Sequence, residues 1–536
     1  MRFFLLGIFV SVDNRRSQFN GEVSVRKKVR LSESDCFIKI RGDFSSMSID
    51  DWFSIPHEIT NSVTGAQAAV DQVMNLLADI LSNRSAWPRD PTICFFDIGC
   101  GMGCFAYYFL KQLNAALGRF GSDAPQFCYV LCDVSKDNIS FCQRHPKLRP
   151  FIENGQLKTF VGSHIELIDC IGDFCSGSDM PFLIGNYLLD VLPQDAYFWK
   201  NGAWNEMLFG LRGSSSTDLT PAGVARGLSQ RALEFPVYPE STMDELLQAV
   251  VTEPKLYERF LWPVSAMDFL RVLSERFEFF AFLFSDYGFS DPEENRMLDE
   301  SFTITNDGAF CYFPVQFSYL KRYVEKLGGT MVIPGDHESL IHSGGYYSRK
   351  QLSMPFFLSG LSSYSENSLV SRQLAIARTT DFNAVKGGSS ATLSMLGLVG
   401  CDPAVYFRLI PSSVDFYNGL SQYQKHIFSV KLYKVVDHFY GLGSRDLGKY
   451  VKLVESLIVI RAYEQATELI EEGLHRYDRS EELMFLKGRV LFLTECFLDS
   501  IEWFDRCIQL GCRVQEAGAL RERSMDYVCQ SGGDTS

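Results

Sequence analysis

The sequence predicts an α/β domain followed by an all-α region, and three observations carry that expectation. From about Ile40 to Gly210, strand-like and helix-like segments alternate, as in domains that layer helices on a sheet. Within that stretch, "CFFDIGCGMGCFAYYFL", Cys94 to Leu110, runs from four apolar residues through an acid and three alternate glycines into an apolar-rich segment free of Pro and Gly. That is the pattern of a buried strand, a tight turn and a helix. From about Val430 the chain reads as helix to its end.

The first 40 residues read as a solvated, poorly ordered extension. "MRFFLLGIFV" has a short apolar core behind one Arg, without a small-x-small cleavage pattern before "DNRRSQFN", and "VRKKVR", Val25 to Arg30, is basic. A cytoplasmic protein is expected, with a mitochondrial alternative if that basic segment is a presequence. The main domain is expected over residues 41–420. It opens with an amphipathic helix, "SVTGAQAAVDQVMNLLADIL", before the first strand. A second strand, "FCYVLCDVS", ends at Asp133, and "QLKTFVGS", "PFLIGNYLLDVLP" and "NEMLFGL" read as further strands and their ends. "RGSSSTDLTPAG", Arg212 to Gly223, is a loop; the stretch near 224–276 reads as a helical insertion broken at Pro254 and Pro263. "FEFFAFLFSDYGF" is another buried strand, whose end at Asp286 and Tyr287 is a candidate site. Polar linkers or surface loops follow Gly360.

In the last part, over 430–530, Tyr463 aligns with Phe497, Ala466 with Ser500, Ile470 with Phe504 and Leu474 with Ile508, each pair 34 residues apart. This is the tetratricopeptide period, and Gly488 falls where that repeat wants a glycine. An amphipathic helical hairpin is the simpler alternative.

Composition excludes several function classes. A formal charge of −14 argues against a protein that coats nucleic acid. No apolar run approaches the roughly 18 residues that span a bilayer, so a soluble protein is expected. The 15 cysteines are scattered without C-x-x-C, and the histidines form no H-x(3–5)-H or HExxH cluster. Buried reduced thiols and no structural metal are expected.

Two cofactor classes compete for the glycine turn. Gly101-x-Gly103-x-x-Ala106 satisfies a loose dinucleotide fingerprint, which wants an acid about 20 residues beyond the glycines. The next strand-end acid, Asp133, lies 30 residues past Gly103. Asp97, two residues before Gly99, would repel a pyrophosphate and hold a cation. S-adenosylmethionine (SAM) carries an amino group and a sulfonium and no phosphate, so SAM is the expected cofactor.

Acid-x-Gly-x-Gly-x-Gly followed by a strand ending in Asp resembles motif I and the ribose-binding acid of class I methyltransferases. More fully, the chain resembles the MidA-like family of SAM-dependent methyltransferases, which includes the mitochondrial complex I assembly arginine methyltransferase. The likeness runs from about Trp52 to Leu361 in "FSIPHEITNSVTG", "FFDIGCGMG", "YVLCDVS", "GNYLLDVLP", "NGAWNE", "FSDYG" and "FFLSGL", in that order. It implies a Rossmann-like methyltransferase domain with a helical insertion and, for some members, arginine methylation of a protein. By position, Asp97 would hold the methionine amine, Gly99, Gly101 and Gly103 would admit the ligand to the backbone, and Asp133 would accept from the ribose hydroxyls. Asp133 could instead cap the next helix. On the acceptor side, Asn186, Asp190 and Asp286 are the candidate catalytic residues, able to orient an amine and take its proton. Pro193 has the alternative of a simple chain break, and Trp204 and Glu206 of packing and a surface charge.

This sequence departs from the family at Tyr187, where the family has Glu after Asn. The basic, His-containing loop that commonly follows Asp-Tyr-Gly is also missing from "GFSDPEENRMLDES". A guanidinium generally needs carboxylates to hold it, so arginine methylation is weakened as an expectation while SAM binding is not. The expected function is methyl transfer to a protein side chain, with the C-terminal repeats holding a substrate or assembly partner. A small-molecule methyltransferase and a degenerate SAM-binding scaffold are the alternatives.

Overall fold

The computed structural model describes residues 28–46, 61–82, 92–119, 126–175, 179–209, 228–253, 259–277, 279–291, 305–306, 311–333, 341–347, 354–366, 389–410, 412–441, 446–477 and 480–533. The leader-like segment, all of "FSIPHEIT", the 212–223 loop, Pro254, residues 292–304 after Asp-Tyr-Gly and residues 367–388 lie outside them. The chain forms two compact units: residues 1–48 with 65–372, and residues 49–64 with 373–536.

The first unit is built on a sheet whose strands we number β1 (Ile93–Ile98), β2 (Phe127–Asp133), β3 (Leu157–Val161), β4 (Met180–Asn186), β5 (Ala281–Phe289), β6 (Thr330–Val332) and β7 (Ile341–Tyr347). Their order is β3-β2-β1-β4-β5-β7-β6. The β1–β2, β1–β4, β2–β3 and β4–β5 pairs are parallel, whereas β7 runs antiparallel to both β5 and β6. A dinucleotide-binding sheet is ordered 3-2-1-4-5-6; here an antiparallel strand is inserted between β5 and β6. The order reverses at β1, so β1 and β4 diverge into a crevice at their carboxyl ends, where open α/β sheets bind ligands.

Strand periodicity sets the two faces of β1. Phe95 points to the side of the Cys104–Leu117 helix, its ring 5.1 Å from that of Phe109. Phe96 points the other way, into a core shared with Leu183, Phe282, Leu246, Trp262 and Leu270. The residues from Asp195 to Arg276 supply that second cover.

Within them the stretch near 224–276, expected as a helical insertion, also contributes the strands Leu228–Ala232 and Arg259–Trp262. Asp195–Lys200, Ala203–Phe209, Leu228–Ala232 and Arg259–Trp262 form an antiparallel sheet, and the helices Ser241–Thr252 and Val264–Arg276 accompany it. "RFLW" leaves the helical pattern because it pairs with 195–198, putting Phe260 and Trp262 in the core, and Pro263 then stands as the cap of the next helix.

Part of the expected extension is described, from residue 28 on. Val29–Arg30 pairs with Phe209 and Leu208 at the edge of that antiparallel sheet, and Asp35–Ser46 is a helix. Arg30 is held by Glu206 at 3.3 Å and donates to the Val237 carbonyl at 2.6 Å. These partners lie far along the chain, so the basic run alone did not reveal them.

The second unit is helical wherever it is described beyond Thr64, from Ser389–Leu398 to Val514–Gly533. Two helices, Tyr463–Arg476 and Phe497–Leu510, start 34 residues apart, each followed or preceded by a partner of similar length. Ala466 and Ser500 are fully buried at equivalent positions, as are Ile470 and Phe504. Gly488 abuts Phe504: a Cβ there would lie 2.8 Å from its ring. Among the described residues, no helix is long and apolar enough to cross a membrane.

Candidate functional site

The glycine turn leaves β1 at the switch point. Gly99, Gly101 and Gly103 adopt φ of +74°, +54° and +77°, values that side chains with a Cβ rarely tolerate. The turn is anchored from below, because the Gly99 and Cys100 N–H groups donate to the Cys132 carbonyl at 2.8 and 3.1 Å. A Cβ built on Gly99 would meet no atom within 4 Å, so the missing side chain leaves space there instead of relieving a clash inside the protein. The Cys104–Leu117 helix follows with no side-chain cap at Gly103.

Asp97 sits at the end of β1 and is 3% exposed. Its Oδ2 accepts from the Tyr129 hydroxyl at 3.0 Å. Burial pushes its carboxyl up to about 7, against the lowering effect of that hydrogen bond, and the nearby Asp133 adds to the rise. A buried acid whose charged form has one phenol for support gains from an incoming cation.

Asp133 ends β2. It accepts the Gly101 N–H at 2.9 Å on Oδ2 and the Ser135 N–H at 2.7 Å on Oδ1, with Asn138 Nδ2 at 3.4 Å. It therefore ties the turn to the start of the Lys136–Arg144 helix, while Ser135, not Asp133, caps that helix. Burial pushes Asp133 up to about 6. A carboxylate has about four lone-pair positions, so these bonds leave capacity for a hydroxyl.

On the acceptor side, the structure brings Asp190 and Asp286 together. Asp286, in β5 just past its last pairing with β4, is fully buried, and it accepts the Leu189 N–H at 2.6 Å and the Tyr287 N–H at 2.9 Å. Burial is the main cause of the upward shift of both, Asp286 to about 7 and Asp190 well above its ordinary value. The charge of Asp286 adds to the upward shift of Asp190. Asn186 is half-buried at the end of β4, paired in register with Ser285. Tyr187 turns the chain at φ +53°, its N–H on the Ser285 carbonyl at 2.9 Å.

Other candidates prove to be structural. Trp204 packs on Trp199 and Phe260 and donates to the Val251 carbonyl at 2.9 Å. Glu206 is not a surface charge: it is 5% exposed and paired with Arg30 and Arg231. Gly288 of the Asp-Tyr-Gly end has no room for a side chain, since a Cβ would lie 2.2 Å from the Val315 carbonyl oxygen of a short parallel strand, Val315–Gln316. Sequence reasoning missed Tyr129, whose hydroxyl has meaning only once the β1–β2 register places it on the Asp97 side of the sheet.

Residues 79–315, less than half of the chain, match the model of a family described as "Putative S-adenosyl-L-methionine-dependent methyltransferase". The matched segment contains the turn, Asp97, Asp133 and the β4 and β5 ends. The chain carries a SAM-dependent methyltransferase domain. Its cofactor is SAM, and the site fits it: three glycines with positive φ, open space at Gly99, a buried carboxylate for an ammonium group and an acid at the end of β2. No curated protein matches the chain. Among solved structures, an uncharacterised protein from Burkholderia thailandensis is 14% identical with a TM-score of 0.36, over 57% of this chain and 74% of its own. A second Burkholderia thailandensis protein, bound to S-adenosyl-homocysteine, is 15% identical with a TM-score of 0.33, over 51% of this chain and 62% of its own. The magnesium protoporphyrin IX methyltransferase of Synechocystis, with bound SAM, is 10% identical with a TM-score of 0.26, over 59% of this chain and 99% of its own. At such scores the weight rests on the family match and on the residues themselves.

Proposed function

We propose that the methyltransferase domain acts on a nitrogen of a protein side chain, as the MidA-like resemblance implies, and that tetratricopeptide-like repeats in the C-terminal helices hold the partner protein. Bound SAM supplies an electrophilic methyl group on a sulfonium; what the chain contributes is orientation. Asp97 would hold the ligand's ammonium group, the glycine turn would admit it to the backbone, and Asp133 would accept from the ribose.

The observation that supports a nitrogen acceptor is the Asp190–Asp286 pair at the carboxyl edge of the same sheet. Asp286, pushed up to about 7, carries part of a negative charge at neutral pH, and Asp190 Oδ1 accepts from no N–H or O–H donor among the described residues. Asn186, half-buried on the adjacent strand end, would orient the nitrogen, and the pair would favour the positive charge that nitrogen acquires on transfer. Asp286 enters as a positioning residue, since its Oδ2 holds the 187–191 turn through the Leu189 N–H and its Oδ1 accepts from the Tyr287 N–H.

The same burial of Asp286 favours a second reading, a SAM-binding assembly protein that transfers nothing. Purified protein incubated with methyl-labelled SAM and a cell lysate separates the two. Label retained on a protein band after denaturation is expected; label only in metabolites, or none, would overturn the protein-substrate reading.

A further inference from the structure

We infer that Tyr129 is a positioning residue for the cofactor: its phenol, donating to Asp97 Oδ2, fixes the carboxylate so that the other oxygen is left for the ligand's ammonium group. The inference rests on the placement of that ammonium group at Asp97.

Packing does not account for the hydroxyl. Tyr129 is fully buried, with its ring centroid 6.0 Å from that of Phe95 and 5.4 Å from that of Phe109. Both neighbours are phenylalanines, and a phenylalanine would fill the same place. A buried hydroxyl without a partner is unfavourable, so its retention here points to the acid it meets at 3.0 Å. Geometry explains the meeting: Tyr129 stands opposite Phe95 in the parallel β1–β2 register, and Phe95 and Asp97 share one face of β1.

Of the other ionisable groups around Asp97, Asp133 opposes its charge and the thiols stay protonated. Asp133 and Cys132 approach from β2 and Cys100 from the turn, each raising or being raised by the neighbouring negative charge. Across β4 the register partner of Asp97 is Ile184, which contributes no charge. The phenol is thus the group that favours ionised Asp97 before the ligand arrives.

The test is the pH dependence of SAM and S-adenosylhomocysteine affinity, measured by calorimetry on the full chain from pH 5.5 to 8.5. In the native protein, affinity is expected to rise through a midpoint near 7, and Asp97→Asn is expected to abolish that rise. Tyr129→Phe is expected to move the midpoint upward by about one pH unit, weakening both ligands roughly fivefold at pH 7 and much less at pH 8.5. Both ligands carry the same amino group, so they should shift in parallel. A 3-fluorotyrosine at position 129, a stronger donor of nearly the same shape, should move the midpoint down. A midpoint unmoved in both variants overturns the role of Tyr129. A pH-independent native affinity, or an Asp97→Asn protein with the native midpoint, overturns the placement of the ammonium group itself.

Discussion

At the residue scale, the turn is a backbone device whose performance depends on what it lacks. Gly101 sits at φ +54° with its N–H on Asp133, so replacing it by Val forces a β-branched residue into a region it avoids and disturbs that hydrogen bond. Gly101→Val is expected to abolish detectable SAM binding by calorimetry while leaving far-UV circular dichroism unchanged. Tyr187 marks where this chain leaves its resemblance. A phenol cannot pair bidentately with a guanidinium, so a charge-assisted contact of roughly 1.5–3 kcal/mol is missing for arginine. Arginine peptides should therefore be poor acceptors, and Tyr187→Glu should raise arginine methylation at least tenfold in a labelled-SAM assay. Robust activity in the native protein that falls in the variant would show that Asn186, Asp190 and Asp286 suffice. The αL conformation at Tyr187 adds a consideration the sequence did not display, because a glutamate must adopt the same φ of +53° to stand in its place.

At the scale of elements, the 187–191 turn hangs from Asp286, and its stability should follow the protonation of the carboxyl pair. Asp286 titrates at about 7 in the folded protein, against an ordinary value near 4, because burial penalises its charged form. Between those values the folded state binds more protons than the unfolded one, so the contribution favours folding at low pH and is lost as pH rises through about 7. Hydrogen exchange of the Leu189 and Tyr287 amides, corrected for intrinsic rates, should show greater protection at pH 5.5 than at pH 8. Asp286→Ala, which leaves two buried N–H groups unpaired, should cost roughly 1–3 kcal/mol of local protection per group. None of this was legible from the sequence beyond the presence of the acids, because Asp286 and Leu189 are brought together only by the β4–β5 pairing. The glycine turn was legible because its strand, turn and helix are contiguous and its conformational demand falls on glycine alone. The antiparallel sheet of the insertion was not, since Arg259–Trp262 declares itself a strand only through pairing with Asp195–Phe198. Arg30 belongs with it: a basic residue in a basic run, whose buried partner Glu206 is remote in sequence.

At the scale of the whole molecule, the helical unit is the part whose internal logic the 34-residue offset exposed most directly, and it offers a test independent of catalysis. Its core runs from Leu393 and Leu396 through Tyr406, Phe428 and Leu432 to Phe504 and Ala517 as one cluster. Residues 49–64 belong to the same unit, and within it the Val63 N–H donates to Asp402 at 3.1 Å while Asp402 also caps Pro403–Leu409. A chain cut near residue 430 would strip Leu393, Tyr406 and Phe428 of their neighbours, and it should aggregate because the remaining helices expose apolar surface. A chain ending at Arg372 removes the helices beyond that point together and leaves the sheet, the turn, Asp97, Asp133 and the carboxyl pair intact. Its SAM affinity is expected to stay within a few fold of the full chain, with any loss traced to the 49–64 segment left without its partners. Within the intact protein, Gly488→Val should act on the helical unit alone. The new Cβ would lie 2.8 Å from the Phe504 ring, and such overpacking typically costs about 1–3 kcal/mol. Hydrogen exchange should then rise across Glu481–Leu510 while SAM affinity is unchanged, and capture of a labelled protein substrate should fall. A variant that loses SAM affinity in proportion to its helical protection would refute the independence of the two units.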